Sequence, residues 1–162
     1  MARPYSLLLA LAALVAAPLP ALGQDAAGWQ MAESWAFNVQ RFVHAAPAPI
    51  PAGVARYGPF RVLDGRSAAL VAATDERSPA HFARMMRDYP HIGLLELIDC
   101  PGTYEDRSNL RLGRMIRAAG IATHVPRGGS VRSGGVELFL AGVQRMADEG
   151  AEFAVHSWSD ED

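Results

Sequence analysis

From Phe60 onward the sequence alternates short apolar runs with longer amphipathic ones, and few folds accommodate that order. Phe60-Arg61-Val62-Leu63 and Ala68 to Ala72 read as two short strands around an Asp64-Gly65 turn. Ser78-Pro79 opens a helix, with Ser78 as N-cap and Pro79 in the first turn. Phe82, Met85 and Met86 share its apolar face, and Tyr89-Pro90 closes it. Ile92 to Ile98 is a strongly apolar strand, followed by a loop over Asp99 to Asp106. Asn109 to Ala119 reads as a second helix, with Gly120 at its C-terminal cap. Ile121 to Val125 is another strand, and Pro126 to Gly135 is glycine-rich. Val136 to Ala147 reads as an apolar helix, and Phe153 to His156 begins a last strand. Strand and helix in alternation with short links imply an α/β fold, with a mainly parallel sheet covered by helices.

The chain before Phe60 is of another kind. Leu7 to Ala17 is unbrokenly apolar, Arg3 precedes it, and Pro18 and Pro20 follow. Ala21-Leu22-Gly23 then places small residues where a signal peptidase reads them, so residues 1–23 are expected to be a secretory signal peptide. The run is too short to span a bilayer, which needs about 20 apolar residues. Residues 24–44 form a helical segment, in which Trp29, Ala32, Ala36, Val39 and Val43 recur at helical spacing. Residues 45–59 are a proline-rich linker or surface-hugging loop, with four prolines and two glycines. Residues 60–162 form the single α/β domain.

Composition removes several chemistries. The net charge is −2, with no basic surplus to neutralise a phosphate backbone, so no nucleic-acid partner is expected. All 15 basic residues are arginine. That excludes a Schiff-base lysine, a Walker lysine and a Ser-Lys dyad. The single cysteine, Cys100, allows neither an intrachain disulfide nor a Cys-rich zinc site. The histidines have no metal-ligand spacing, so neither metal nor cofactor is expected.

In a parallel α/β sheet, reacting groups gather at the carboxyl ends of the strands. Three segments fall there: Asp99 to Thr103, Gly128 to Gly135, and Val155-His156-Ser157. Ser133 at a helix N-terminus has free backbone N–H groups and the positive dipole end beside it. Those are what an oxyanion needs. His156, one helix and one strand later, can fold back as its base. Gly65-Arg66-Ser67 approaches a nucleophile elbow but sits between two strands, so it reads as a turn. Cys100 reads as a small core residue, and Glu137 as a buried acid needing Arg132 or Arg145.

Pro101-Gly102-Thr103, Ser133-Gly134-Gly135 with Phe139-Leu140-Ala141-Gly142, and Ala154-Val155-His156 together resemble the Clp protease proteolytic subunit and the crotonase-like superfamily. The nearest likeness is to exported, periplasmic members. The resemblance implies a spiral of β-β-α units. It implies Ser133 as nucleophile and His156 as base, with the Thr103 and Gly134 amides as oxyanion donors. It implies an exported, most simply periplasmic, serine hydrolase acting on peptides or esters, with a homo-oligomer as one option. Three features depart from the family. Thr103 stands at the second glycine of the turn, and Arg132 precedes the serine where a small residue is usual. The family's orienting Asp lies in a C-terminal helical part beyond the His, and this sequence stops six residues after His156. The expectations are a fragment, a missing third member, or substitution by Asp99 or a tail acid. The rival reading is a non-catalytic exported module that keeps the fold for assembly or binding.

Overall fold

Residues 45–156 are described from a computed structural model. The expected signal peptide and the 24–44 helix lie outside them, as do residues 157–162. Strands β1 (Ala55–Tyr57), β2 (Phe60–Val62) and β3 (Ser67–Leu70) form an antiparallel meander. Helix α1 (Ser78–Asp88) leads to β4 (Leu94–Leu97) and β5 (Asp99–Cys100). Helix α2 (Asp106–Ala118) leads to β6 (Ala122–Val125) and β7 (Ser130–Arg132). Helix α3 (Gly134–Ala141) leads to β8 (Arg145–Ala147) and β9 (Glu152–Ala154).

Two sheets result, one of six strands in the order β1-β2-β3-β4-β6-β8 and one of three in the order β5-β7-β9. From β3 onward every pairing is parallel. The chain therefore repeats a step: one strand in the large sheet, one in the small, then a helix. The protein is α/β, with a mainly parallel mixed sheet covered by helices, as the alternation implies.

The period of the side chains explains the layers. Leu95 and Leu97 in β4, and Thr123 and Val125 in β6, are buried at every second position. Against them pack Phe82 and Met85 of α1, Leu112 and Ile116 of α2, and Leu138 of α3. Helix α2 ends as expected: Gly120 takes φ 68°, its N–H reaches Arg117 O, and the Ile121 N–H reaches Ile116 O. Among the described residues, no helix is long and apolar enough to cross a membrane.

Several boundaries differ from the sequence expectation, each for a local reason. Arg77, not Ser78, is the N-cap of α1. Ser78 is already helical, and its hydroxyl donates to Asp75 Oδ1 at 2.8 Å. The Arg77 N–H also donates to that carboxylate, so Asp75 covers the first turn. Helix α2 starts three residues early because the Glu105 carboxylate accepts from the Arg107 and Ser108 amides. The expected helix to Ala147 stops at Ala141. There the Thr123 hydroxyl donates to Phe139 O, and Gly142 leaves the helix with ψ 143°. The next residues instead extend the large sheet as β8, paired to Thr123–Val125. Part of the proline-rich stretch is strand β1, and the Ala48 N–H donates to Gly128 O, so this segment hugs the surface.

Asp148 ties the β8–β9 link to β6 and to the β6–β7 link. Asp148 Oδ1 lies 3.0 Å from His124 Nε2, and Oδ2 accepts from the Arg127 N–H. These bonds, that of His124 first, hold the Asp148 carboxyl below its ordinary value of 3.8. A depressed carboxyl contributes stability that is present above the ordinary value and is lost as pH falls through the folded one. Acid unfolding followed by circular dichroism is expected to show a shallower loss of stability below about pH 4 in Asp148→Asn than in the parent.

Candidate active site

Ser133 sits in a sharp turn between β7 and α3, with φ 48° and ψ −126°. Among the described residues it is the one non-glycine at positive φ. Such backbone favours glycine and costs a side-chain-bearing residue of order 1–3 kcal/mol, a strain that collects at functional sites. The turn is over-determined by its anchors. The Ser133 N–H donates to Ala154 O of β9 at 2.8 Å, and the Val136 N–H donates to Ser133 O at 2.9 Å.

The two residues after Ser133 are glycines because α3 starts hard against the preceding unit. A Cβ on Gly134 would lie 2.8 Å from Thr103 Cγ2, and one on Gly135 would lie 2.9 Å from Cys100 Cβ. Larger residues would push the helix start away from the Pro101-Gly102-Thr103 turn. His156 follows β9 by two residues and is exposed. Its Nε2 lies 3.1 Å from Ser133 Oγ, within hydrogen-bond reach. The structure thus brings together the serine and histidine that the sequence pairs.

The turn faces the same serine. Gly102 has φ 139°, and a Cβ there would lie 3.4 Å from Ser133 Cβ. Thr103 forms a parallel bridge with Thr74. That bridge uses the Thr74 N–H to Gly102 O and the Tyr104 N–H to Thr74 O, so the Thr103 N–H is not consumed by it. The Gly134 N–H is the first of α3, one of the four that a helix leaves without an intrahelical acceptor. One backbone donor therefore belongs to each of the two segments flanking Ser133.

Sequence reasoning misses Asn109. It is buried in α2, accepts from the Thr74 hydroxyl at 2.9 Å, and donates to Gly134 O and Glu137 Oε2, both at 2.8 Å. Asn109 thereby links the Thr103 bridge to the start of the serine helix. Glu137 is exposed, and its partner is Asn109 rather than Arg132 or Arg145. Arg132 does not stand as a loose charge beside the cleft. It is 8% exposed and donates to Asp99 and Ser130. Asp99, a candidate orienting acid from the sequence, has its Oδ1 3.1 Å from Arg132 Nη2. The tail acids lie outside the described residues.

Cys100 is buried beneath the turn, where its thiol donates to Leu70 O. Burial, with the Asp99 charge second, raises the thiol well above its ordinary value, so the nucleophilic thiolate is suppressed. Native protein at pH 8 is expected to resist iodoacetamide at Cys100 and to react only once unfolded, as intact mass would show. Among the described residues, no group of three His, Cys, Asp or Glu could hold a metal.

Two concavities flank these elements. A groove of about 550 Å³ runs between α2 and α3, lined by Leu110, Gly113, Leu140 and Ala141 with Arg114 and Arg117. A cleft of about 320 Å³ is formed by Asp75, Glu76, Arg77, Tyr104 and Glu105, just past the turn. Compared with protein-family models, curated proteins and solved structures, the chain matches none.

Proposed function

We propose that the protein is an exported serine hydrolase, acting on peptide or ester bonds through an acyl-enzyme on Ser133. The observation that carries this reading is the 3.1 Å approach of Ser133 Oγ to His156 Nε2 from a strained turn at a helix N-terminus. The repeated strand-strand-helix step supports a Clp-protease/crotonase-like spiral as its scaffold. A periplasmic location belongs to the same proposal.

The chemistry follows from the atoms. His156 Nε2 takes the Ser133 hydroxyl proton as Oγ attacks the substrate carbonyl carbon. The carbonyl oxygen becomes an oxyanion, for which the Thr103 and Gly134 N–H groups are the donors. The imidazolium returns the proton to the leaving amine or alcohol as the carbon–leaving-group bond breaks. Water, deprotonated by the same imidazole, then releases the acid and regenerates Ser133. A Cβ at Gly102 would only touch Ser133, at 3.8 Å from its Oγ, so it is the φ of 139° that calls for glycine there.

One observation favours the rival, a non-catalytic exported module. Val143, Met146, Phe153 and Val155 are exposed on and around the edge strands β8 and β9, an apolar surface suited to assembly. Activated-ester hydrolysis separates the two. The hydrolase releases p-nitrophenol from p-nitrophenyl acetate in a burst of about one equivalent per chain, lost in Ser133→Ala. A linear release identical in parent and Ser133→Ala, from a folded oligomer, would establish the module instead.

A further inference from the structure

Arg132 is the most elaborately held side chain in the small sheet, and its partners come from all three strands. Asp99, Ser130 and Glu152 lie side by side in register across β5, β7 and β9. Arg132 lies two residues further along β7. Its Nη2 reaches Asp99 Oδ1 at 3.1 Å, its Nη1 donates to Ser130 Oγ, and Nη1 lies 3.8 Å from Glu152 Oε1. Ser130 in turn donates to Glu152 Oε1 at 2.9 Å. Arg132 and Glu152 are almost fully buried.

Each strand of this row leads directly into one part of the candidate site. Asp99 precedes the turn that carries Thr103, Arg132 immediately precedes Ser133, and Glu152 precedes His156 by one short strand. One guanidinium thus spans the three segments whose relative placement the chemistry depends on. Stability alone does not call for it. A buried ion cluster can often be replaced by apolar residues without loss, and here Arg132 Nε is buried with no hydrogen-bond partner among the described residues.

We infer that Arg132 is a positioning residue, which with Asp99 and Glu152 sets the Ser133–His156 contact and its distance from the turn. The inference rests on the proposed nucleophile and base, but its first readout does not require activity. Nitrogen-15 NMR of the full chain, at fixed pH, reports the hydrogen-bond state of His156 Nε2. In the parent, Ser133→Ala is expected to move that resonance. In an Arg132→Met background the same change is expected to leave it in place, because the contact is already gone. The second readout is the rate of fluorophosphonate labelling at Ser133, resolved into kinact and KI. Arg132→Met is expected to lower kinact about a hundredfold with KI unchanged, as for a misplacement on the order of 1 Å. Arg132→Lys, which keeps the charge, is expected to recover part of the loss.

A merely structural role would reduce the fraction of protein labelled and leave kinact of the folded remainder intact. If Arg132→Met does not fold, Asp99→Asn decides, because it removes only the half-exposed partner; the expected changes are the same in direction and smaller. The inference is overturned if folded Arg132→Met keeps the Ser133-dependent His156 resonance of the parent or, where Arg132→Met does not fold, if Asp99→Asn keeps it undiminished. If the parent shows that dependence, Arg132→Met abolishes it and Ser133 is never labelled, the hydrolase reading fails while the positioning role stands.

Discussion

Replacing Ser133 with glycine is expected to abolish acylation and at the same time to raise the melting temperature above that of Ser133→Ala. Both effects come from one backbone conformation. At φ 48° and ψ −126°, a residue bearing Cβ is strained and glycine is not. Ser133→Ala removes the nucleophile and keeps the strain, whereas Ser133→Gly removes both. The strain is worth of order 1–3 kcal/mol, and the extra freedom of glycine in the unfolded chain offsets about 0.5–1 kcal/mol of it. From the middle of both ranges the net difference is about 1 kcal/mol, a melting-temperature gap on the order of 5 °C for a domain of this size. Calorimetry of the two variants measures it. Equal melting temperatures would mean that the strain of the turn is no larger than that offset.

The second large effect is at His156. Removing a general base costs about 10²–10⁴ in rate. His156→Ala is therefore expected to lower kcat/KM for an activated ester by about 10³. Being exposed and beyond the last described strand, His156 contributes little packing. Its removal is expected to change stability by no more than about 0.5 kcal/mol. His156→Gln separates the proton-transfer role from hydrogen bonding, since an amide can bond to Ser133 Oγ but cannot take its proton. The glutamine variant is expected to be as inactive as the alanine one. Activity within a factor of a few of the parent in either would remove His156 from the mechanism.

How much of this the sequence carries depends on the length of the signal. Strands β4 and β6 and helices α1 and α2 are legible because their buried positions recur at periods of two and 3.6. Strands β5, β7 and β8 are not, for different reasons. Strand β5 has two residues, too few for any period. In β7 all three residues are buried, polar ones included, because Ser130 and Arg132 each bond to an acid over twenty residues away. In β8 all three are exposed, so no apolar face marks the strand. Its existence follows from the open edge of β6, which only the folded sheet presents. The serine and histidine are legible as an ordered pair at element ends. Asn109 is not, because a polar residue early in a helix ordinarily signals a cap, and its three partners come together only in three dimensions.

The small sheet explains why so short a strand matters to the site. Cys100 pairs with Val131, and Val131 with Phe153. These pairings set the turn, the serine and the histidine side by side across one register. Shifting any one strand by a residue would turn its side chains to the opposite face. The close approach of Gly134 and Gly135 to Thr103 and Cys100 permits little such movement.

The most direct test of the central claim is the position of a covalent adduct. The full chain, folded, is treated with a fluorophosphonate, digested with trypsin and mapped by mass spectrometry. Cleavage after Arg132 and Arg145 isolates a peptide that begins at Ser133. The expected result is one adduct per chain, on that peptide at Ser133, absent from Ser133→Ala and strongly slowed in His156→Ala. A folded chain that takes up no adduct there, or takes it up equally in Ser133→Ala, would contradict the assignment of Ser133 and His156 as nucleophile and base.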